Sequence, residues 1–202
     1  MNCWVVIPVK SPAYCKTRLA PVLDEAERQY LVAAMLERVY TAACAVAGPD
    51  RTFILGPSRH ALGNKVRLFG DPGGGLNPAA TSARDAALQG GIERLILLSA
   101  DLPRVATDDV AALINIPART IAVAPDESGQ GTNALSLPLP QASDFRFHYG
   151  LGSCAAHRVE AARLALPLLA IVRPGLGFDI DEPAELAGWY NAGPNSSFTN
   201  QF

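Results

Sequence analysis

Short apolar runs alternate with helical stripes along this chain. Trp4 to Val9 is β-branched and reads as a strand buried on both faces. Leu95 to Leu98, inside Glu93 to Ser99, reads as a buried parallel strand at the centre of the fold. Arg51 to Leu55, Val66 to Phe69, Thr120 to Ala124, Asn133 to Leu137 and Leu168 to Val172 are strands of the same texture. Leu31, Val32, Met35, Leu36, Val39, Tyr40 and Ala43 recur at helical spacing, after a capping-box-like Asp24 and Glu27 and before Gly48-Pro49. Further helices are predicted from Pro78 to about Leu88 with Asn77 as cap, from Thr107 to Ile114, from about Cys154 to Leu164, and from Pro183 to about Tyr190. Strand–helix alternation predicts a single-domain three-layer α/β/α fold with a mostly parallel sheet, spanning residues 1–190. The Asn/Ser/Gly-rich tail, 191–202, is expected to be disordered.

The pattern also says where chemistry would sit. In open α/β sheets ligands bind beyond the carboxyl ends of the strands. Asp101 follows the central strand there, and Pro103 stops the run. Asp101 reads as a metal-holding carboxylate; a helix cap or loop aspartate is the other reading. Asp179 and Asp181 stand two apart in an extended segment and so project to one side, with capping of the helix at Pro183 as their alternative role. Three gathered carboxylates suit a hard cation such as Mg²⁺ that also meets substrate phosphates. Lys10, Lys16 and Arg18 lie on the loop after the first strand, where cations hold phosphates. Gly73-Gly74-Gly75 lets backbone approach a ligand, and Gly150 with Ser153 at a helix start offers an anion site or a simple cap.

Composition narrows the classes. The 202 residues carry a formal net charge of -2 and no basic block, so nucleic acid has no electrostatic footprint here. Cys3, Cys15, Cys44 and Cys154 are scattered without a CxxC pair, which argues against zinc and for a reducing compartment. Cys15, although beside Lys16, is read as an inert thiol. No signal peptide is seen and the apolar runs look too short for a membrane span, so a cytoplasmic protein is expected. There is neither a P-loop nor a G-x-G-x-x-G after the first strand. His60, His148 and His157 are remote from any nucleophile elbow, and His157 reads as a satisfied histidine on a helix face. Cations plus a metal, without a general base, suit nucleotidyl transfer to an acceptor that is already ionised.

These residues together resemble the 2-phospho-L-lactate guanylyltransferase family of coenzyme F420 biosynthesis. The matching stretches are Pro8-Val9-Lys10, Lys16-Thr17-Arg18-Leu19-Ala20-Pro21, Gly75-Leu76-Asn77, Ala100-Asp101-Leu102-Pro103, Pro125-Asp126, Gly131 to Leu135, Gly150 with Ser153, and Pro174-Gly175-Leu176 through Phe178 to Pro183. They occur in family order from Val5 to Leu186; no single one is specific, and Thr17 stands where Ser is common. The resemblance implies a nucleotidyltransferase fold of the glycosyltransferase-A kind. It implies that Pro8, Val9, Lys10, Lys16, Arg18, Gly74, Gly75 and Asn77 bind GTP, and that Asp101, Asp179 and Asp181 hold Mg²⁺. Thr132, Asn133, Gly150 and Ser153 would cradle a phosphorylated three-carbon acid: 2-phospholactate, phosphoenolpyruvate or 3-phosphoglycerate. Asp101, Lys16 and Arg18 would carry the catalysis. A transferase acting on a molybdopterin or sugar phosphate, and a silent nucleotide-binding domain, are the rival readings. The apolar content from Phe145 to Val172 offers a surface for a homodimer.

Overall fold

The β-branched and leucine-rich runs form β1 (Cys3–Pro8), β2 (Thr52–Gly56), β3 (Arg67–Gly70), β4 (Arg94–Leu98), β5 (Ile121–Pro125), β6 (Thr132–Pro138) and β7 (Leu168–Ala170). They make one sheet in the order β3-β2-β1-β4-β6-β5-β7 in the computed structural model, which describes residues 2–64 and 66–191. β1 lies between β2 and β4 and is parallel to both. Among the described strands β6 alone is reversed, antiparallel to β4 and to β5. Its direction follows from the link 126–131, which is too short for a crossover and closes as a turn: the Asp126 side chain accepts from the Gln130 N–H at 2.9 Å.

The helices are α1 (Glu25–Ala47), α2 (Leu76–Gln89), α3 (Thr107–Ile114), α4 (Ser153–Arg163), α5 (Pro174–Gly177) and α6 (Pro183–Asn191). Strand side chains alternate between two cores because the pleat has a period of two. Val5, Ile7, Ile96 and Leu98 face Leu36 and Val39 of α1 and Val110 and Leu113 of α3. Val6, Leu95 and Leu97 face Ala80, Ala83 and Ala87 of α2 together with Phe145. Each fully buried Leu or Ile contributes about 1.5–3 kcal/mol. A third core of Leu19, Leu31, Met35, Phe178, Ile180, Leu186 and Trp189 ties the turn after Lys16 to α1 and to the segment leading into α6.

The expected architecture and most elements are present, and the capping box at Asp24 and Glu27 is formed. Four expectations are corrected. The central strand has one parallel neighbour and one antiparallel neighbour. α2 begins at Leu76 with Gly75 as cap, because Gly75 at φ 94° turns the chain into the helix earlier than Pro78. Asn77 caps nothing: its amide donates to the Tyr149 carbonyl at 3.1 Å and accepts from the Tyr149 N–H at 2.7 Å. Finally, α1 is long and apolar enough to cross a membrane by length and composition, with a mean hydropathy of 1.3 over its most apolar 18 residues. Here its apolar stripe packs on the sheet instead. Of the expected tail, residues 192–202 lie outside the described residues.

Candidate active site

The carboxyl ends of β1 and β4 open onto one cavity of 420 Å³, within the usual range for small-molecule sites. Pro8, Val9, Lys10, Lys16, Arg18, Gly75, Asp101 and Asp181 line it, so most of the predicted nucleotide residues converge there. Tyr14, Leu55, Asp71 and Ser99 line it too and escape the sequence reading, as does the place of Cys15 in the lining; they lie beside the motifs without forming a pattern of their own. A larger open groove of 960 Å³ runs along α2, next to Asn77 and away from the acids. Its Arg84 and Arg163 are already engaged, with Asp85 and Glu160.

Lys16 is the least expected part. Its backbone is left-handed, φ 51° and ψ 39°, a conformation that costs an L-residue about 1–2 kcal/mol. This turns the side chain inward, where it is only 8% exposed. The ammonium donates to Asp101 Oδ2 and to Asp181 Oδ1, each at 2.5 Å. Burial alone would lower its pKa, but the two carboxylates outweigh burial and raise it, so the cation stays charged. Arg18, by contrast, is exposed and meets Glu182 at 3.4 Å.

Asp101, Asp179 and Asp181 offer carboxylate oxygens that all lie within 4.8 Å of one another, each residue half-buried. The alternation predicted for 179 and 181 therefore holds. Burial and the Asp101 charge push the Asp179 carboxyl up to about 6. Asp181 is held below the usual range because the Lys16 ammonium outweighs its burial. An all-oxygen set of hard, converging donors fits Mg²⁺ and fits a soft or imidazole-seeking ion poorly.

The segment that carries Asp179 is held from several sides. Arg173 donates to Asp109 at 2.5 Å, and the Arg104 guanidinium lies 4.0 Å above the Phe178 ring. Asn133, at the start of β6, donates to the Leu176 and Gly177 carbonyls and to Asp179 Oδ1 at 3.0–3.1 Å. Its amide thus orients an acid. Thr132 and Ser153 are buried and hydrogen-bonded to each other at 3.1 Å, and Thr132 also meets His157 Nδ1. The Ser153 and Cys154 N–H groups are likewise taken, by the Gly150 and Gln130 carbonyls, and none of Thr132, Asn133, Gly150 and Ser153 lines the 420 Å³ cavity. Gly74 is outside the cavity lining. His157 is fully buried, as a satisfied histidine should be. Burial raises the Cys15 pKa against the pull of Lys16 and Lys10, so this thiol is inert.

The sequence matches the family described as guanylyl transferase CofC like over residues 3–190. The chain belongs to this family. It is 38% identical over 204 residues to a phosphoenolpyruvate guanylyltransferase of Sphaerobacter thermophilus, covering 97% of this chain and 98% of that one. It is 37% identical over 194 residues to the enzyme of the same name from Rubrobacter xylanophilus, covering 93% of each. Among solved structures, a Desulfovibrio desulfuricans protein provisionally described as a nucleotide-diphospho-sugar transferase superposes with a TM-score of 0.80 at 19% identity, covering 99% of this chain and 91% of that one. A nucleotidyl transferase from Methanothermobacter superposes at 0.65 and 13% identity, covering 95% and 97%. This CofC-like chain is a nucleotidyltransferase enzyme with the fold of that group.

Proposed function

We propose that this CofC-like enzyme transfers GMP from GTP to phosphoenolpyruvate or a closely similar phosphorylated three-carbon acid, releasing pyrophosphate, as a step in coenzyme F420 biosynthesis. The observation that carries the reading is the convergence of Asp101, Asp181 and Lys16 on one cavity beyond the strand ends, with a carboxylate oxygen of Asp179 within 4.8 Å of those of the other two acids. The relatives' names support phosphoenolpyruvate as the acceptor to try first.

In this reading an acceptor phosphate oxygen attacks the α-phosphorus of GTP; the new P–O bond forms as the bond to the β-phosphate breaks. The attacking phosphate is already ionised at neutral pH, so no general base is needed. Asp101, Asp179 and Asp181 would hold Mg²⁺, which when bound neutralises charge between two anionic reactants. Lys16, Lys10 and Arg18 present cations along the same cavity and hold the triphosphate. Val9 continues the pairing of β1 with β2, its N–H donating to the Leu55 carbonyl at 2.9 Å, which fixes the start of the cation loop.

The test is pyrophosphate release with GTP, Mg²⁺ and each three-carbon phospho-acid in turn. Release is expected with phosphoenolpyruvate; none with any of the acids would overturn the assignment. Asp101→Asn should lower turnover at least about a hundredfold with the far-UV circular dichroism unchanged. Near-normal turnover would remove Asp101 from the site.

A further inference from the structure

Lys16 holds one oxygen each of Asp101 and Asp181, two of the three acids that would hold a cation. It bridges a strand-end acid and one from a distant segment, and both contacts are made by a nearly buried ammonium whose backbone is strained to aim it there. A surface lysine free to wave in solvent would not adopt this arrangement. We infer that Lys16 is a built-in counter-ion for the acidic site: it competes with the divalent cation for Asp101 and Asp181, and it releases them when a triphosphate offers it other anions.

The inference rests on the reading of Asp101, Asp179 and Asp181 as metal ligands. Three carboxylates with oxygens within 4.8 Å repel one another, and one ammonium relieves part of that repulsion. Asp101 Oδ2 and Asp181 Oδ1 receive the Lys16 protons at 2.5 Å, which leaves an ion the other oxygens and lone pairs of these acids, beside a positive charge already in place. Metal and ammonium therefore repel each other, and the ion binds these acids more tightly once the lysine withdraws. A displaced, desolvated ammonium is costly unless an anion receives it. A nucleotide phosphate in the same cavity is such an anion, and Lys10 and Arg18 line that cavity beside Lys16. Metal and nucleotide are then coupled, each favouring the other, because both act on one two-position side chain.

A plain structural salt bridge predicts the opposite sign. If Lys16 only props the acids in place, removing it disorganises them and weakens metal binding. If it competes, removing it strengthens binding of the metal alone. The experiment is Mn²⁺ titration, by electron paramagnetic resonance and without nucleotide, of the full chain and of Lys16→Met and Lys16→Arg. Lys16→Met should bind Mn²⁺ at least tenfold more tightly than the wild type, and Lys16→Arg should restore the weaker binding. Equal or weaker binding by Lys16→Met overturns the inference. Lys16→Gln repeats the comparison if Lys16→Met does not fold.

A second measurement uses the wild type only. In ¹⁵N-lysine spectra the Lys16 Nζ signal should shift on adding Mg²⁺ with GTP, and much less with the same Mg²⁺ alone; an unchanged signal in both overturns the inference. Failure of the underlying reading looks different. In that case no variant binds Mn²⁺ and GTP adds no site, and the counter-ion role falls with it.

Discussion

Arg94 shows how one residue can hold a loop without an opposing charge. It is fully buried, and its guanidinium donates to the Ile116, Pro117 and Thr120 carbonyls and to Ser136 Oγ. Ser136 in turn donates to the Leu113 carbonyl at 2.7 Å, so the end of α3 is closed by this pair. Burial lowers the Arg94 pKa, though guanidinium remains charged at any ordinary pH. Arg94→Leu would strand several buried carbonyls and should cost about 2–4 kcal/mol by urea denaturation. His157 supplies a pH-dependent counterpart. Its Nε2 accepts from the His148 N–H at 3.0 Å, so Nδ1 carries the proton toward Thr132. Burial, helped by the His148 charge, lowers its pKa from 6.5 to about 4. Between those values the unfolded chain binds the extra proton and the folded one does not, so stability is lost as pH falls. The stability difference between wild type and His157→Gln should therefore fall by about 3 kcal/mol from pH 7 to pH 4, measured by denaturant titration at each pH.

At the scale of elements, the segment from Arg173 to Asp181 matters more than its length suggests. It is largely loop and carries two of the three acids, and it is fixed by what other elements lend it. Asn133→Ala removes the amide that orients Asp179 and frees two carbonyls of α5. Loss of such a supporting partner should weaken Mn²⁺ binding about tenfold or more, read by titration, with the melting temperature little changed. Gly175 matters for its lack of a side chain, since a Cβ there would run into the Asp109 carboxylate and the Arg104 carbonyl. Gly175→Ala should shift the segment and reduce turnover about tenfold to a hundredfold in the pyrophosphate assay. Some of this is legible in the sequence. Asp179 and Asp181 can be paired because alternation is a local property of extended chain. Asn133 stands out there too, but as a substrate residue, since nothing local reveals which carbonyls a side-chain amide will meet. Lys16 looks like any loop cation because a left-handed backbone leaves no mark when the residue is not glycine. Asn77 is misread because a cap and a long-range partner want the same amide.

For the whole molecule, the two-core sandwich follows directly from buried strands alternating with amphipathic helices. The sheet order does not, because pairing between distant strands is decided by packing rather than by any local run. Once formed, the sheet brings Pro8, Lys10, Lys16, Asp101 and Asp181 to one rim with Asp179 close by, and the third core braces the turn after Lys16 and the segment that carries both late acids. A ligand that spans them stabilises the folded state by mass action. GTP with Mg²⁺ at a hundredfold excess over its dissociation constant should raise the melting temperature by about 5–10 °C in a thermal shift assay. The reversed strand has a consequence of its own. Because β6 runs against its neighbours, it delivers Asn133 to this rim with its first residues, straight from the hairpin at 126–131. Deleting or adding one residue in that hairpin would have to be absorbed there or slip the strand by one step. A slip would hand the place of Asn133 to an alanine or a threonine and send the amide through to the other side of the sheet. This hairpin therefore acts as a spacer, and its length sets which side chain reaches the carbonyls of α5 and the Asp179 carboxylate.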